Sequence, residues 1–321
     1  MRPGELKSLM PSPEAPRSPA PPVVLITGAS SGLGLALARK LLPTSYRLVL
    51  TARASSLERL AKAGFIANDH VCIRALDVTS AADRERVVAE TSERWGGVDV
   101  LINNAGVAYR TVVEHFNEAD DWEQMDVNFR GPMELIRLVL PGMRSKRAGR
   151  IINVSSVGGM MAMPTMALYS ASKFALEGAT ESLWYEVRPW EIHVSLVQPG
   201  FIRSDSFRNT RFTEASRRSV GDADEPYHAH YAQMTSLITR LMESTRATPE
   251  KVAEVIWRTM QRKNPPLRVP ATWDAHLFTA LRRILPRRVY HRFLYLRLPE
   301  VRQWGKHDVT GGAGEPGRPE A

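Results

Sequence analysis

The chain has 321 residues, of which 43% are apolar and 24% charged, and it carries a single cysteine. This length and apolar content exclude a wholly disordered protein and suit one large α/β domain or two small ones. One cysteine excludes an internal disulfide framework and a cysteine-based metal site, which fits a reducing compartment. The net charge of +9 suits an anionic ligand or an anionic surface, and charge alone does not choose between them.

The two ends of the chain differ in composition from its middle. Residues 1–22 are rich in proline and lack the apolar core of a secretory signal, so we predict a disordered lead. Residues 309–321 are rich in glycine and predict a disordered tail. No run between them reaches the roughly 18 consecutive apolar residues of a transmembrane helix. We therefore expect a cytoplasmic protein, with peripheral contact at a membrane surface left open.

From Val23 onward, short runs rich in β-branched residues alternate with helical patterns. We predict strands at 23–27, 47–50, 71–76, 98–102, 150–154, 193–197 and 266–269. Apolar strands separated by helices indicate one parallel sheet covered on both faces, which is the doubly wound Rossmann fold of the α/β class. We assign 23–272 to this single domain and 273–308 to a C-terminal helical extension.

The turn Thr27–Gly34 joins the first strand to the first helix and is rich in glycine. Glycines let the backbone approach a pyrophosphate, and a helix N-terminus offers N–H donors to it. The spacing Gly-x-x-x-Gly-x-Gly differs from the usual dinucleotide pattern, and many turns need glycine, but the strand–turn–helix context favours a dinucleotide site. The candidate contacts are Gly28, Ser30, Ser31, Gly32, Leu33 and Gly34.

The end of the second strand bears on the choice of cofactor. An enzyme that prefers NAD places an acid there for the ribose 2′-hydroxyl, but Thr51-Ala52-Arg53 offers none. The Arg53 guanidinium suits a 2′-phosphate, and the Ser30 hydroxyl could add to it. We therefore predict NADP(H) in preference to NAD(H). The alternative is that Arg53 is only a solvated charge at a strand end.

Tyr169 and Lys173 lie four residues apart in a segment whose composition favours a helix, so they share one helix face. A phenol holds its proton to about pH 10, and a nearby ammonium favours the phenolate. Such a pair can handle one proton in catalysis. Ser156 follows an apolar strand, so its hydroxyl emerges at the strand end. Alone, the pair would indicate no more than a half-exposed helix face.

Several motifs in one order carry a family resemblance. They are Thr27–Gly34, Asp77-Val78, Asn103–Gly106, Asn128, Ser156, Tyr169–Lys173 and Pro199-Gly200. Together they resemble the classical short-chain dehydrogenases/reductases over roughly residues 22–270. Within that family the chain is most similar to the hydroxysteroid and retinol dehydrogenase-like branch. The segments that carry this similarity are residues 156–159, 173–177, 248–253 and 265–270.

The resemblance implies a role for each catalytic residue. Tyr169 would exchange a proton with the substrate oxygen, and Lys173 would lower the tyrosine pKa and hold the nicotinamide ribose. Ser156 would donate a hydrogen bond to the reacting oxygen. Asn128 would hold a water that links Lys173 to solvent. The alternative for Asn128 is an ordinary amide inside a helix.

The resemblance also implies the remaining cofactor contacts. Asp77 and Val78 would meet the adenine ring, although an aspartate there is often a turn or N-cap residue. The segment containing Asn104, Ala105 and Gly106 would wall the adenosine half. The contacts after the sixth strand, at the carboxyl edge where ligands bind in open α/β sheets, would be Pro199, Gly200 and Ile202.

An insertion at about 201–247 would cover the substrate. Its candidate pocket or lid residues, which could equally be ordinary helix packing, are Phe201, Phe207, Tyr227, Tyr231, Met234, Leu237 and Leu241. His228-Ala229-His230 lacks a third ligand at suitable spacing, so we predict a polar loop and no metal site.

Residues 274–298 mix large apolar side chains with arginines. Such a segment could lie on an anionic membrane, or it could pack on the domain or on a partner subunit. Pro286 favours two short helices over one continuous helix. No nucleic-acid-binding module accompanies the charge, so we expect no nucleic acid partner. From the family we expect a homo-oligomer, either a dimer or a tetramer.

The function predicted from these observations is that of an NADP(H)-dependent oxidoreductase, interconverting a lipophilic alcohol and its ketone or aldehyde. Its substrate would be a steroid, a retinoid or a long-chain lipid. One alternative is a 3-oxoacyl reductase of fatty-acid or polyketide metabolism. Another is a non-catalytic relative that senses NADP(H) or binds a partner, although the complete set of catalytic residues argues against it.

Overall fold

A single parallel sheet organises the chain in this computed structural model, which describes residues 20–203 and 210–305. Its seven strands run in the order β3-β2-β1-β4-β5-β6-β7. Their bounds are β1 (Val23–Ile26), β2 (Arg47–Ala52), β3 (Val71–Ala75), β4 (Val100–Asn103), β5 (Gly149–Val154), β6 (Ile192–Gln198) and β7 (Arg268–Pro270). The strand order reverses between β1 and β4, which opens a crevice at their carboxyl ends.

Helices cover both faces of this sheet, as the predicted doubly wound fold requires. The α-helices are α1 (Gly32–Leu41), α2 (Glu58–Lys62), α3 (Ala81–Trp95), α4 (Glu118–Met125), α5 (Gly131–Lys146), α6 (Ala167–Val187), α7 (Glu214–Gly221), α8 (His228–Ser244), α9 (Pro249–Gln261), α10 (Trp273–Ile284) and α11 (Arg287–Arg297). Residues of α1 and α9 pack on one face, and residues of α3, α5 and α6 on the other.

The central strand shows why the sheet has two cores. Every residue of β1 is buried, and neighbouring side chains point to opposite faces. Val24 and Ile26 therefore join the core under α1, whereas Val23 and Leu25 join the core under α5. A strand buried on both faces is continuously apolar, which is why the sequence shows no polar alternation there.

The predicted strands agree with the observed ones except at their ends. The fourth and seventh were predicted to start at Val98 and Pro266, but β4 begins at Val100 and β7 at Arg268. Pro266 has no N–H to donate to a ladder. The Asp99 N–H donates to the Val23 carbonyl oxygen, and the Asp99 carbonyl oxygen accepts from Arg150 N. The ladder of backbone hydrogen bonds therefore extends to Asp99, although β4 begins one residue later.

The C-terminal helices pack close to the carboxyl edge of the sheet. A small buried cluster joins Met160 and Met161, in the loop after β5, to Tyr290 of α11. Beyond α11 the Trp304 ring lies 4.4 Å from the His230 ring of α8. Helix α10 ends at Ile284 and α11 begins at Arg287, so two helices meet at Pro286, as predicted from the sequence. The predicted tail, Phe207 and nearly all of the predicted lead lie outside the described residues.

Each helix in the described ranges is too short, or too rich in charge, to cross a lipid bilayer.

Candidate active site

A cavity of about 680 Å³ runs along the carboxyl ends of the strands. Among the residues singled out in the sequence, those that line it are Gly28, Ser30, Ser31, Gly32, Leu33, Arg53, Asp77, Val78, Asn104, Ala105, Gly106, Ser156, Tyr169, Lys173, Pro199, Gly200, Phe201 and Ile202. Gly34 and Asn128 lie behind its wall. The fold thus brings residues from six loops to one cleft.

The glycine-rich turn is held close to the loop after β4. Gly28 has a φ of +66°, and a Cβ there would lie 2.9 Å from Ala105 Cα. A Cβ on Gly34 would lie 2.2 Å from the Gly28 carbonyl oxygen. The Ser31 side chain makes no capping hydrogen bond at the start of α1. Bare backbone and the N-terminus of a helix at the cavity wall fit a pyrophosphate group.

Asn104 braces this turn rather than only lining the cavity. Its Nδ2 donates to the carbonyl oxygens of Thr27 at 3.0 Å and Gly28 at 3.2 Å. The Thr27 hydroxyl in turn accepts from the backbone N–H groups of Asn104 and Ala105, both at 2.9 Å. The turn after β1 and the loop after β4 therefore form one rigid unit.

At the far end of the cavity lie Asp77 and two arginines. Asp77 Oδ1 accepts from Thr79 N at 2.9 Å and Thr79 Oγ1 at 2.7 Å, so its carboxylate closes a turn, the alternative considered from the sequence. Arg53 and Arg59 line the cavity beside it, together with Ser56. Arg59 was missed in the sequence because a charged residue in a short helix looks like a solvated surface.

The predicted catalytic residues meet where β5 ends. Ser156 follows β5, its hydroxyl accepts from Gly158 N at 3.0 Å, and both it and the Tyr169 ring flank Gly158. Lys173 lies one turn further along α6, and its Nζ is 5.9 Å from the centre of the Tyr169 ring. Nζ also donates to the Val154 carbonyl oxygen at 2.9 Å. A serine, a phenol and an amine therefore share one wall of the cavity.

Burial dominates the electrostatics of this cluster. It raises the pKa of Tyr169, and the hydrogen bond from Ser156 opposes that rise. Burial also lowers the pKa of Lys173 to about 8, against the opposing charge of Glu177. The net shift in the pKa of Tyr169 is therefore upward and not downward as predicted, because the loss of solvation of the phenolate outweighs the hydrogen bond from Ser156.

Asn128 sits in a π-helical segment, Asp126–Arg130, between α4 and α5. Its Nδ2 donates to the Val107 carbonyl oxygen at 2.9 Å and to Ser172 Oγ at 3.0 Å, and its Oδ1 accepts from Val107 N at 2.9 Å. The side chain thus joins the loop after β4 to the helix that carries Lys173. A π-helical turn inside an α-helix often marks a functional site, and no sequence pattern predicts this one.

The apolar end of the cavity differs from the one expected. Of the described candidates only Phe201 lines it, alongside four residues that the sequence did not single out, namely Met163, Met166, Ile238 and Met242. Tyr231 and Met234 are fully buried in packing contacts instead. The Tyr231 hydroxyl is held by Val112 N at 3.0 Å and Ser216 Oγ at 2.8 Å.

The predicted polar loop at His228-Ala229-His230 is also wrong, because these residues form the first turn of α8. The His228 ring lies 2.8 Å from the Ser219 carbonyl oxygen, and the His230 ring packs against Trp304. Tertiary contacts therefore stabilise a helix start that the local sequence does not signal.

The chain is similar in sequence to known proteins of one family. The family described as short chain dehydrogenase matches residues 22–215. 3-Ketodihydrosphingosine reductase of Bacteroides thetaiotaomicron is 37% identical over 77% of this chain and 87% of that protein. Human retinol dehydrogenase 8 is 34% identical over 91% of this chain and 96% of that protein.

Solved structures agree with these matches. A closed serine dehydrogenase in complex with NADP+ has a TM-score of 0.64 at 26% identity, covering 77% of this chain and 93% of that one. A short-chain dehydrogenase/reductase from Burkholderia phymatum in complex with NAD has a TM-score of 0.67 at 26% identity, covering 86% and 95%.

Proposed function

Since the chain belongs to the short-chain dehydrogenase family and is an oxidoreductase that binds a nicotinamide dinucleotide, we propose that it reduces a lipophilic ketone or aldehyde with NADPH, or oxidises the matching alcohol. The observation that carries this proposal is the joint placement of Ser156, Tyr169 and Lys173 on one wall of the cavity. A non-catalytic relative would not need these three groups together.

The roles of these residues follow from their positions. A bound dinucleotide supplies or accepts the hydride. In reduction the substrate carbonyl oxygen lies against Tyr169 and Ser156, Tyr169 Oη gives that oxygen its proton, and Ser156 Oγ donates a hydrogen bond as negative charge grows there. Because burial raises the pKa of Tyr169, the phenol holds its proton at neutral pH and is ready to donate.

Lys173 and Asn128 support this proton transfer. The Lys173 amine is anchored on the Val154 carbonyl oxygen, so it stays beside the Tyr169 ring. Asn128 fixes the same stretch of α6 through Ser172. We assign Asn128 a positioning role on these contacts.

The preference for NADP(H) rests on charge at the far end of the cavity. Arg53, Arg59 and the Ser56 hydroxyl lie there. The Asp77 carboxylate at the same end accepts hydrogen bonds from Thr79, and Thr51 and Ala52 bring no second carboxylate. Guanidinium groups bind a phosphate in charge-assisted pairs, so this end suits the ribose 2′-phosphate of NADP(H).

Ala52→Asp tests this preference. The carboxylate would repel a 2′-phosphate and accept hydrogen bonds from the ribose hydroxyls of NAD(H). We expect the ratio of kcat/KM for NADPH to that for NADH to fall at least about tenfold, the effect of one charged hydrogen bond. Steady-state kinetics with both cofactors would measure it.

Ala67→Asp is the matched control, because it adds the same charge at an exposed position outside the cavity. Its cofactor ratio should equal that of the wild type. A wild-type enzyme that prefers NADH would overturn the assignment of Arg53 and Arg59.

The lipophilic substrate is proposed from the apolar end of the cavity, where Phe201 and the four residues Met163, Met166, Ile238 and Met242 supply a flexible apolar lining. NADPH oxidation with steroid, retinal, acyl-thioester and aliphatic carbonyls tests it. Turnover confined to acyl-thioesters would favour the 3-oxoacyl reductase, and no turnover with any carbonyl would favour a non-catalytic relative.

We also propose that the C-terminal helices contact an anionic membrane. On α10 the exposed Trp273, Leu277 and Ile284 follow one helical stripe, with Trp273 77% and Ile284 76% exposed. On α11 the exposed Val289, Phe293 and Leu296 do the same. Arginines accompany these stripes at 283, 287, 288, 292 and 297, whereas Arg282 donates to the Met160 carbonyl oxygen of the domain. Apolar side chains beside basic ones match the chemistry of an anionic lipid surface.

Vesicle flotation tests this contact. We expect the full chain to float with vesicles that contain anionic lipid, and binding to weaken as salt screens the charge. Ile284→Ser should reduce flotation, whereas Ile66→Ser, at an equally exposed site in the loop before β3, should not. Absence of anionic-vesicle binding would contradict the proposal, and loss of an oligomer in Ile284→Ser would identify a partner subunit instead.

A further inference from the structure

A buried carboxylate lies directly behind the catalytic residues. Glu177 is four residues after Lys173 on α6, and its residue surface is only 5% exposed. Tyr169, Lys173 and Glu177 therefore occupy successive turns of one helix face. A carboxylate in this position is costly to bury unless other groups satisfy it.

Its hydrogen bonds lead to the two strand ends that form the site. Glu177 Oε1 accepts from Ser155 Oγ at 2.7 Å and from Gln198 Nε2 at 2.8 Å. Ser155 immediately precedes Ser156, and Gln198 immediately precedes Pro199. One carboxylate oxygen thus joins α6 to the end of β5 and to the end of β6.

The surroundings leave room for this carboxylate and little else. A Cβ on Gly159 would lie 2.6 Å from both Glu177 Oε1 and Ser155 Oγ. The charged groups that face Glu177 are Lys173 and Glu181 on its own helix and Arg268 on β7. Arg268 Nε lies 3.6 Å from Glu177 Oε2, while Arg268 Nη2 pairs with Glu181 at 2.8 Å.

We propose that Glu177 is a positioning residue of the active site, whose carboxylate fixes the Ser155-Ser156 strand end against α6 and balances the buried ammonium of Lys173. The inference rests on the catalytic roles proposed above for Ser156 and Lys173. It adds that the charged state of Lys173 depends on a residue that lies outside the cavity lining.

Burial and the charge of Glu177 shift the pKa of Lys173 in opposite directions. Burial lowers the pKa of Lys173 from 10.5 to about 8, and Glu177 opposes this. Between these two values the folded chain binds fewer protons than the unfolded chain at Lys173, so this residue makes stability rise with pH. Without the Glu177 charge the pKa of Lys173 falls further, and the rise begins below pH 8.

Glu177→Gln is the test, because it keeps the shape and removes the charge. We expect the melting temperature of Glu177→Gln to lie furthest below that of the wild type well below pH 8, and this deficit to shrink as pH rises toward about 8. A merely structural role would give a constant deficit, because Arg268 stays charged throughout. This readout needs neither cofactor nor substrate.

Kinetics provide the second readout. In Glu177→Gln the alkaline limb of kcat/KM should move to lower pH by at least about one unit of pKa, which corresponds to a loss of at least about fivefold at pH 8 and a smaller loss at pH 6. Glu181→Gln is the matched control on the same helix and the same arginine, and both of its profiles should follow the wild type. Wild-type profiles in Glu177→Gln would overturn the proposal.

The outcomes separate this inference from the proposed function. If the wild type reduces no carbonyl, the proposed function fails while the melting profiles still test the charge on Glu177. If Glu177→Gln does not fold, Ser155→Ala removes one contact of the carboxylate and keeps its charge. In that variant kcat should fall while the alkaline limb stays in place, and an unchanged kcat would overturn the positioning role.

Discussion

Tyr169→Phe is expected to lower kcat by at least about a hundredfold, the usual contribution of a positioned general acid. The variant keeps the ring beside Lys173 and loses only the hydroxyl that faces the cavity with Ser156. Since that hydroxyl provides the proton in carbonyl reduction, its loss removes stabilisation of the transition state and leaves NADPH binding intact. Steady-state turnover together with NADPH fluorescence titration would measure both.

Tyr185→Phe is the matched control for this variant. Tyr185 lies on the same helix α6, but it is 62% exposed and outside the cavity lining. The same loss of a hydroxyl there should leave kcat at the wild-type level. Near-normal turnover in Tyr169→Phe would contradict the proposed mechanism.

The fold was predictable because its central strands are buried on both faces. A run such as Val23–Ile26 is apolar at every position, and only a strand between two layers of helices or a buried helix shows this pattern. The turns that flank each apolar run distinguish a strand from a buried helix. Strand ends such as Asp99 were less predictable, because backbone hydrogen bonds to other strands decide where a ladder stops.

Cavity-lining residues were predictable where a motif places backbone or a strand end at the sheet edge. Glycine at 28 and serine at 156 are examples, because the turn and the strand fix their positions. Residues on the covering helices were not. Tyr231 was a candidate for the substrate pocket, yet its hydroxyl is held by buried partners, whereas Ile238, two helical turns later, lines the cavity. Helical spacing does not tell which face meets a pocket.

The direction of the pKa shift of Tyr169 could not be predicted from the local sequence. The neighbouring ammonium was read correctly as an opposite charge at helical spacing, but the burial that raises the pKa comes from distant parts of the chain. The role of Glu177 was not predicted for the same reason, because a glutamate near the middle of a helix usually faces solvent. Only the packing of α6 on the ends of β5 and β6 gives it a role.

The glycine-rich turn carries the second large effect, in Gly34→Ala. A methyl group there would lie 2.2 Å from the Gly28 carbonyl oxygen and 2.6 Å from Asn104 Nδ2. Neither neighbour can move freely, because Asn104 Nδ2 itself hydrogen-bonds the carbonyl oxygens of Thr27 and Gly28. The turn must therefore shift, and with it the backbone donors at the start of α1.

We expect Gly34→Ala to weaken NADPH binding by at least about a hundredfold, since a shift of about 1 Å in a binding site has effects of that size. The overcrowded turn should also destabilise the fold by about 1–3 kcal/mol. Gly178→Ala on α6 is the control, because its added methyl group has no neighbour within 4 Å apart from the adjoining residues and the backbone of its own helix. That variant should bind NADPH normally and gain about 0.5–1 kcal/mol of stability. Fluorescence titration and thermal unfolding would measure both variants, and normal NADPH affinity in Gly34→Ala would show that the cofactor binds elsewhere.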